Sequence, residues 1–375
     1  MSQESPVAPD ADLQDRLCLS LVAGVGPKLQ RALIGHFGDA GAVLAASASQ
    51  LRRVPGIGGK LSETIARARD DNDVAAELAL CRANGIQVLT PEMPEYPKRL
   101  LEIYDPPGIL YARGELRGED ALTIGIVGSR HATHYGATQA ERLASALVRA
   151  GYTVASGLAR GIDAAAHRGA LVAGGRTVAV LGSGLLNIYP PEHVDLADEV
   201  ASSGVLLSEA PPRARPLAGA FPQRNRLISG LSLGIIVIEA SLRSGALITA
   251  RHAMEQGREV FAVPGRIDNP LSKGCHALIR DGAKLIESVD DVLEELGPLA
   301  RPAPTGDGRT IQHPVELQLN EIEQQVLAAI PAGATTIDEV VRASRLATPQ
   351  VLATISALEM RRVVRRLGGN TIARA

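Results

Sequence analysis

The chain has 375 residues, 45 % of them hydrophobic, and a formal net charge of −2, which together indicate a globular protein of two or three domains. No apolar run reaches the roughly 18 residues that a membrane-spanning helix needs, and residues 1–12 are polar, lack the features of a signal peptide and are expected to form a disordered leader. The three cysteines, Cys18, Cys81 and Cys275, are too scattered for a disulfide framework or a zinc site. We therefore expect a cytoplasmic protein with reduced thiols, no metal, no cofactor and no membrane contact.

Residues 13–85 have a helical pattern with an internal repeat. LVAGVGPKLQRAL at 21–33 and LRRVPGIGGKLSETI at 51–65 each place a G-x-G turn between apolar residues and a new helix. Such a turn exposes backbone N–H groups at a helix N-terminus, which attracts anions, and Lys28 and Lys60 follow the two turns at equivalent positions. The pattern resembles a tandem helix-hairpin-helix module, which implies binding to the DNA backbone. The alternative is a protein-interaction domain whose glycines only make tight turns.

Residues 86–296 alternate apolar runs rich in β-branched residues with segments of helix length. The runs are TIGIV (123–127), YTVAS (152–156), TVAVL (177–181), VLLSE (205–209), IIVIE (235–239) and EVFAV (259–263). Nearly continuous apolar strands separated by helices predict an α/β domain with a parallel sheet covered on both faces. A linker rich in proline and glycine follows at 297–315.

The last domain, 316–375, has the pattern of a winged helix. Its helical patterns cover residues 316–329, 336–343 and 348–361. Thr348 is the expected cap of the third helix, and two short strands joined at Gly368-Gly369 complete the pattern. Between 341 and 375, seven arginines face one acid, a net charge of +6, which favours nucleic acid as the partner. Protein–protein contact is the alternative.

The loop after the first parallel strand, Gly128-Ser129-Arg130, keeps only the first glycine of the dinucleotide-binding fingerprint G-x-G-x-x-G. A second loop, LGSGLLNIYPPEH at 181–193, has two glycines but Asn187 at the third position. Neither loop is a complete dinucleotide site. Both follow parallel strands, however, and ligands of such sheets bind outside the carboxyl ends of the strands. A loop that only made a turn before a helix would account for the glycines but not for Arg130.

Other strand ends add polar side chains and aromatic rings to this edge of the sheet. The polar residues are Arg224, Asn225 and Arg226 after one strand, and Ser244, Gly245 and Thr249 after the next. The aromatic residues are Tyr135, Tyr189 and Phe221. Arginines neutralise phosphates and aromatic rings stack bases at about 1–3 kcal/mol each, so the set is typical of a surface that binds single-stranded DNA. The alternative for each ring is packing of its loop against the core.

The sequence has no H-E-x-x-H motif and no Cys/His zinc spacing. Asp163 and His167 lie one helical turn apart, and we interpret them as a helix cap and a hydrogen-bonded histidine. The other carboxylates near the strand ends, Glu209, Glu239 and Asp268, come from separate elements without motif spacing. No catalytic or metal-binding residue is therefore predicted.

Six segments together closely resemble the DNA-processing protein A (DprA, also called Smf) family. They are IVGSRHATHYG, SGLARGIDAAAHRGAL, TVAVLGSGLLNIYPPEH, FPQRNRLISGLS, IIVIEASLRSGALITARHAMEQGREVFAVPG and NPLSKGCHALIRDGA, in family order through about residues 105–290. The resemblance implies an extended Rossmann core that binds single-stranded DNA without hydrolysing anything. It also implies a symmetric homodimer that protects incoming strands in natural transformation and DNA repair and loads the RecA recombinase onto them.

The family's DNA-contacting residues carry over to matching positions of this chain. These are Gly128, Ser129 and Arg130, then Ser183, Gly184, Asn187 and Tyr189, and then Arg224, Asn225 and Arg226. One departure is Leu186, where the family usually has Asp. We predict an α/β protein with an extended Rossmann-like parallel core, an all-α helix-hairpin-helix N-terminal domain and a winged-helix C-terminal domain. Its expected function is non-enzymatic binding of single-stranded DNA. An enzyme acting on a nucleotide or nucleoside phosphate in the same pocket is the alternative, and duplex DNA bound by the terminal domains is left open.

Overall fold

The structure, a computed structural model, describes residues 9–297, 303–304, 310–311, 314–331, 333–361, 363–368 and 370–374. The chain divides into two compact units. Unit one consists of Met1–Leu116, Ser156–Ala159 and Thr177–Leu231, and unit two consists of Arg117–Ala155, Arg160–Arg176 and Ser232–Ala375. Residues 1–8 of the expected leader and most of the expected linker 297–315 lie outside the described residues.

The N-terminal part of unit one is helical, as the repeat pattern predicted. Helices α1 to α7 are Pro9–Ser20, Pro27–Phe37, Ala40–Ala45, Ala48–Leu51, Gly59–Ala66, Ala68–Asp71 and Val74–Ala83. Their apolar side chains form one core, in which Leu33, Leu51 and Ile65 are fully buried. Helix α1 begins at Pro9, so residues 9–12, which we expected in the leader, are helical.

The two G-x-G turns have nearly the same backbone conformation. Gly24 and Gly56 have φ angles of +93° and +91°, in the left-handed region that favours glycine. Gly26 and Gly58, which cap α2 and α5, have φ and ψ angles of −82° and 176° and of −85° and 174°. Glycine caps have no side-chain oxygen to accept from the first N–H groups of their helices. The two hairpins are therefore structural copies with equivalent helix starts.

The main sheet has nine strands. Strands β1 to β9 are Ile86–Leu89, Leu110–Gly114, Thr123–Gly128, Thr153–Ser156, Thr177–Val180, Val205–Ser208, Gly234–Ile238, Glu259–Ala262 and Lys284–Leu285. Within unit one, β1 pairs with β2 and β2 with β6 in antiparallel register, whereas β5 and β6 are parallel. Within unit two, β3 pairs with β4 and β7, β7 with β8, and β8 with β9, all in parallel.

Helices cover this sheet, as the strand composition requires. Helices α8 to α14 are His134–Arg149, Ile162–Val172, Val194–Ser203, Ala220–Leu231, Ala246–Glu255, Lys273–Arg280 and Val289–Leu296. Short 3₁₀ helices span Lys98–Glu102, Gly118–Ala121, Pro191–His193, Pro270–Ser272 and Pro314–Gln318. Every residue of β4, β5, β6 and β7 is buried, which is typical of strands covered on both faces. The predicted α/β core is confirmed, and its sheet is mostly parallel, with antiparallel pairing only at β1–β2 and β2–β6 among the described strands of this sheet.

The C-terminal part of unit two is a winged helix, also as predicted. Before it, within the expected linker, β10 (Ala303–Pro304) and β11 (Thr310–Ile311) pair in antiparallel register. In the winged helix, helices α15 to α17 are Glu321–Ala328, Ile337–Ser344 and Thr348–Met360, and strands β12 to β14 are Thr335–Thr336, Val364–Gly368 and Thr371–Arg374. Thr336 caps α16 in a capping box with Glu339. The expected cap of α17 was wrong: Thr348 is already the first helical residue, and Ala347 is the cap. Gly369 lies outside the described residues.

Within the described ranges we find no helix with the length and apolar character that crossing a membrane requires.

Candidate functional site

The loop that follows β3 is fixed by close backbone packing in unit two. A β-carbon on Gly128 would overlap the carbonyl oxygen of Ile238, so only glycine fits at the end of this strand. Gly161, with a φ angle of +72°, lies directly against the carbonyl oxygen of Ser129. The backbone N–H of Ile162 donates to the same oxygen at 3.1 Å. These contacts make the loop a rigid turn.

This turn presents Arg130 at the protein surface. Ser129 is buried, and its hydroxyl oxygen accepts from the backbone N–H of His131 at 3.1 Å, so the serine side chain stabilises the turn. Arg130 and His131 are both exposed. Contact of Ser129 or Arg130 with DNA therefore stays a prediction, and of these two residues only Arg130 is exposed to solvent.

The N-terminus of α8, which begins beside this turn, is filled by the side chain of Glu239. Its two carboxylate oxygens accept from the backbone N–H of Thr133 at 2.7 Å and from the Thr133 hydroxyl at 2.5 Å. Thr133 is the N-cap of α8. Gly136 leaves the necessary space, because a β-carbon there would overlap the carboxylate. The helix start at which dinucleotide-binding folds hold a phosphate is therefore occupied by an acid of the chain itself.

Sequence reasoning missed this role of Glu239, which it treated only as one of several carboxylates near the strand ends. The contact joins residues that are 106 positions apart, so no local spacing indicates it. Glu239 also has a φ angle of +51°, an uncommon conformation for a residue with a side chain. The backbone strain is held in place by a further bond, in which the N–H of Ser129 donates to the carbonyl oxygen of Glu239 at 2.7 Å.

The residues that follow β7 stabilise the N-terminus of the next helix, α12, in unit two. Gly245 is the N-cap of α12, and the hydroxyl oxygen of Ser244 accepts from the backbone N–H of Ala246 at 3.3 Å. Thr249 is only 1 % exposed, inside the helix. The expectation that Thr249 offers its hydroxyl at an open helix start is therefore wrong, since the side chain is packed inward.

In unit one, the GSG loop after β5 is held by its own polar groups. The hydroxyl of Ser183 donates to the carbonyl oxygen of Asn187 at 2.7 Å. The side-chain amide of Asn187 donates to the carbonyl oxygen of Arg213 at 2.6 Å. A β-carbon on Gly184 would overlap the carbonyl oxygens of the neighbouring prolines, Pro211 and Pro212. These predicted DNA contacts therefore shape the loop in the structure.

Two aromatic rings of unit one lie together. The ring centroids of Tyr189 and Phe221 are 5.5 Å apart and the planes are tilted by 48°. Tyr189 is 37 % exposed, and Gly182 leaves room for the Phe221 ring. Such a pair gains about 0.5–1.5 kcal/mol beyond its burial and still offers one face to solvent. The pairing is new information, because the sequence indicated only that both rings follow strand ends.

Arg224 and Arg226 do not lie at the surface, where the sequence analysis placed them. Arg224 is 5 % exposed and donates to the carbonyl oxygens of Gly157, at 2.8 Å, and Val180. Gly157 is needed here because a β-carbon would overlap the guanidinium of Arg224. Asn225, between the two arginines, is half-buried.

Arg226 is 7 % exposed and forms ion pairs with Glu209 at 2.5 Å and Asp105 at 3.1 Å. Burial raises the pKa of Glu209 above its usual value, and the Arg226 charge opposes that shift. The positive charge of Arg226 is therefore used inside unit one. Its contact with DNA stays a prediction that its position does not favour.

Asp163 and His167 are both buried in α9, and their arrangement differs from the predicted one. Gly161 is the N-cap of this helix, and Asp163 lies in its first turn. The expected cap is therefore wrong by two residues. Among the residues that the structure describes, His, Cys, Asp and Glu do not gather in a group of three that could hold a metal ion.

Comparison with protein families gives three matches in chain order. Residues 87–297 match the DNA recombination-mediator protein A family, residues 312–370 match the DprA winged helix domain, and residues 17–71 match the SAM-like helix-hairpin-helix tandem. The first match covers more than half of the chain. It contains both loops and α11.

Individual relatives agree with the family matches. The protein Smf of Synechocystis is 36 % identical over 92 % of this chain and 94 % of its own length. The X-ray structure of DNA processing protein A from Streptococcus pneumoniae superposes with a TM-score of 0.64 at 36 % identity, covering 75 % of this chain and 95 % of the other. A DNA processing protein A from Helicobacter pylori, described for its unique single-stranded DNA binding mode, has a TM-score of 0.51 at 31 % identity and covers 56 % of this chain and 95 % of its own.

Proposed function

Since the chain belongs to the DNA recombination-mediator protein A family, we propose that it binds single-stranded DNA and mediates recombination, with Arg130 as a principal phosphate contact. One observation carries the assignment of Arg130: it is exposed on a rigid turn, whereas the adjacent start of α8 is occupied by Glu239. A phosphate must then be held from outside the turn, as the backbone of a polymer can be. The Helicobacter relative, described for its single-stranded DNA binding, supports this choice of ligand.

The proposed action is capture of the strand without chemical turnover. Glu239, whose backbone carbonyl accepts from the N–H of Ser129 in the Arg130 turn, accepts from Thr133 with both carboxylate oxygens. Those bonds orient the carboxylate toward the start of α8 and give each of its oxygens a structural partner. In unit one, the GSG loop and the Tyr189–Phe221 pair are further proposed contacts, with the rings as stacking surfaces.

We include two partners in the proposal, a second copy of the chain and the RecA recombinase. The description of the family as a recombination mediator supports delivery of the strand to a recombinase. A homodimer presents two strand sites, and two linked sites bind one strand more tightly than either alone. Duplex DNA at the helix-hairpin-helix pair is a further part of the proposal, since both hairpins offer glycine-capped helix starts followed by a lysine.

The decisive test is a salt series of equilibrium binding to a dT oligomer with the wild type and Arg130→Ala. We expect binding that weakens with salt, and a weaker complex for Arg130→Ala whose log–log salt slope is smaller by about 0.7, because one phosphate contact of a single strand is lost. RecA filament assembly on the same oligomer should fall in parallel.

Arg149→Ala is the matched control. Arg149 is an exposed arginine at the opposite end of α8, roughly 22 Å away along a helix of 16 residues. Arg149→Ala removes the same charge as Arg130→Ala, so a purely general electrostatic effect would lower the DNA affinity of both variants equally. Equal affinity and equal slope for Arg130→Ala and the wild type would place the strand elsewhere on the protein.

A further inference from the structure

The segment between the 3₁₀ helix Lys98–Glu102 and β2 carries an exposed aromatic ring that the proposed function does not use. This ring belongs to Tyr104, which is 75 % exposed, more than any other tyrosine or phenylalanine that the structure describes. Single exposed apolar side chains are common on protein surfaces. The ring of Tyr104 is therefore informative only through the neighbours that hold it in place.

On one side, the segment is attached to α2, the helix that follows the first G-x-G turn. The guanidinium of Arg31 donates to the backbone carbonyl oxygen of Tyr104 at 2.8 Å. The ammonium nitrogen of Lys28 lies 6.0 Å from the centroid of the Tyr104 ring, an arrangement worth about 0.5–1 kcal/mol at an exposed site. Gly108 lies against Gln30, since a β-carbon there would overlap the side-chain amide oxygen. The ring thus lies beside the lysine that is proposed to contact duplex DNA.

On the other side, the same segment is attached to α11. Asp105, the next residue, forms an ion pair with Arg226 at 3.1 Å. A β-carbon on Gly230 of α11 would overlap the side chain of Ile103, so the helix and the segment are in close contact. Phe221 lies on the same helix, roughly 7.5 Å along its axis from Arg226. Both attachments lie within unit one, so the exposed ring is held between the first hairpin and the helix that carries Phe221.

The two neighbours of this ring are proposed contacts for different forms of DNA. The first hairpin offers Lys28 to the phosphates of a duplex, whereas Phe221 and Tyr189 offer stacking surfaces to a single strand. Bases inside a duplex are stacked on both faces, but the first unpaired base beyond a duplex has a face to offer. An exposed tyrosine ring can stack on that face for about 1–3 kcal/mol, whatever the base.

We propose that Tyr104 stacks on the first unpaired base where a duplex opens into a single strand, so that the preferred DNA of this chain is a duplex with a single-stranded tail. The inference rests on the proposed function, which supplies the strand contact at α11 and the duplex contact at the first hairpin. A blunt duplex and a lone strand each engage only one of these two neighbours, and Tyr104 adds the contact at the junction.

The test compares the affinities of three kinds of DNA for the wild type, Tyr104→Phe and Tyr104→Ala. They are a blunt duplex, a dT oligomer, and the same duplex with that oligomer as a tail, in both tail polarities. We expect the wild type to bind a tailed duplex more tightly than either component, as two linked contacts require. Tyr104→Ala should weaken binding of the tailed duplex about tenfold and leave both components and the salt slope unchanged, whereas Tyr104→Phe keeps the ring and the affinity.

The matched control is Leu101→Ala, which removes another exposed side chain of the same segment, 40 % exposed, but no ring. The bond from Arg31 uses the backbone carbonyl of Tyr104, so it remains available in both Tyr104 variants. Melting temperatures of all variants check the fold. A second readout is 2-aminopurine, a fluorescent base that is quenched by stacking, at the first unpaired position of the tail. The wild type and Tyr104→Phe should quench it and Tyr104→Ala should not, and the chain has no tryptophan to interfere.

The outcomes separate this inference from the proposed function. A loss confined to the tailed duplex, and absent from Tyr104→Phe and Leu101→Ala, supports the junction contact. The inference fails if the wild type binds tailed and blunt duplexes equally, if Leu101→Ala shares the loss, or if Tyr104→Ala weakens all three DNAs alike. It also fails if Tyr104→Ala binds every DNA like the wild type, which would make the ring a protein contact.

Binding of the dT oligomer decides the proposed function independently. If the junction inference fails while Arg130→Ala still weakens binding of the oligomer, the proposed function stands. If the wild type does not bind the oligomer, the proposed function fails, and the effect of Tyr104→Ala on the tailed duplex decides the junction contact by itself.

Discussion

At the scale of single residues, the arginines of this chain differ by burial and not by their sequence context. Arg130 is exposed on a turn, whereas Arg224 and Arg226 lie in α11 and bond to groups of unit one. Side chains two positions apart on a helix point to nearly opposite sides, yet Arg224 and Arg226 are both buried. A helix packed on two sides explains this, and no periodicity in the sequence indicates it. The sequence analysis therefore predicted the wrong exposure for two of the three arginines, Arg224 and Arg226.

Arg226→Met tests whether this arginine acts through stability. The substitution leaves Glu209 and Asp105 without their shared cation, so we expect the free energy of unfolding to fall by roughly 3 kcal/mol. Urea unfolding measures the loss, with Gln223→Met, an exposed position on the same helix, as the control within about 0.5 kcal/mol of the wild type. An unchanged unfolding midpoint together with lost binding of a dT oligomer would instead make Arg226 a direct DNA contact.

At the scale of secondary structure, the predictable elements are those with continuous apolar runs. The six runs read from the sequence all became strands of the sheet, because strands buried on both faces leave a strong signal. Strands β1, β2 and β9 were not among these runs. Two residues of β1 and two of β2 are not fully buried, and both residues of β9 are exposed. The Glu239 contact with α8 was equally hidden, because it depends on the neighbouring positions of β3 and β7 in the sheet.

The start of α14 offers a pH-dependent prediction at this scale. Backbone N–H groups of Glu287 and Ser288 both donate to Asp291 at 2.8 Å, and the bond from Glu287 is the main reason that the pKa of Asp291 is lowered. The unfolded chain takes up this proton near pH 4, whereas the folded protein does so at lower pH. The stabilisation is therefore present above about pH 4 and is lost as the pH falls through the folded pKa.

We expect Asp291→Asn to lower the free energy of unfolding by about 1 kcal/mol at neutral pH, with the difference from the wild type shrinking in acid. Asp290→Asn is the matched control, since it removes the same charge from the same helical turn. Urea unfolding from pH 7 to pH 3 measures both variants. A difference that stays constant with pH, or an equal effect of Asp290→Asn, would contradict the capping role.

At the scale of the whole molecule, the helix-hairpin-helix pair and the Arg130 turn are separate candidate contacts for nucleic acid. Lys28 and Lys60 are exposed at equivalent positions of α2 and α5. We expect the double variant Lys28→Ala/Lys60→Ala to bind duplex DNA more weakly, with a log–log salt slope smaller by about 1.8, because two phosphate contacts are lost. Its binding of a short dT oligomer should equal that of the wild type.

Lys98→Ala, at another exposed lysine of unit one, is the control for net charge in the duplex experiment. Fluorescence anisotropy with a labelled duplex and a labelled dT oligomer measures all variants. If Lys28→Ala/Lys60→Ala leaves duplex binding unchanged, the hairpins serve protein contacts, which is the alternative that the sequence left open.

The carboxylate of Glu239 at the start of α8 also determines how the protein behaves among free nucleotides. A side chain tethered beside its binding site acts as a ligand at an effective concentration of millimolar order or higher, independent of what the solution contains. A nucleotide must displace this built-in competitor before its phosphate can bind the helix start. Small phosphates in solution therefore compete poorly for that helix start, whatever their concentration in the surrounding pool.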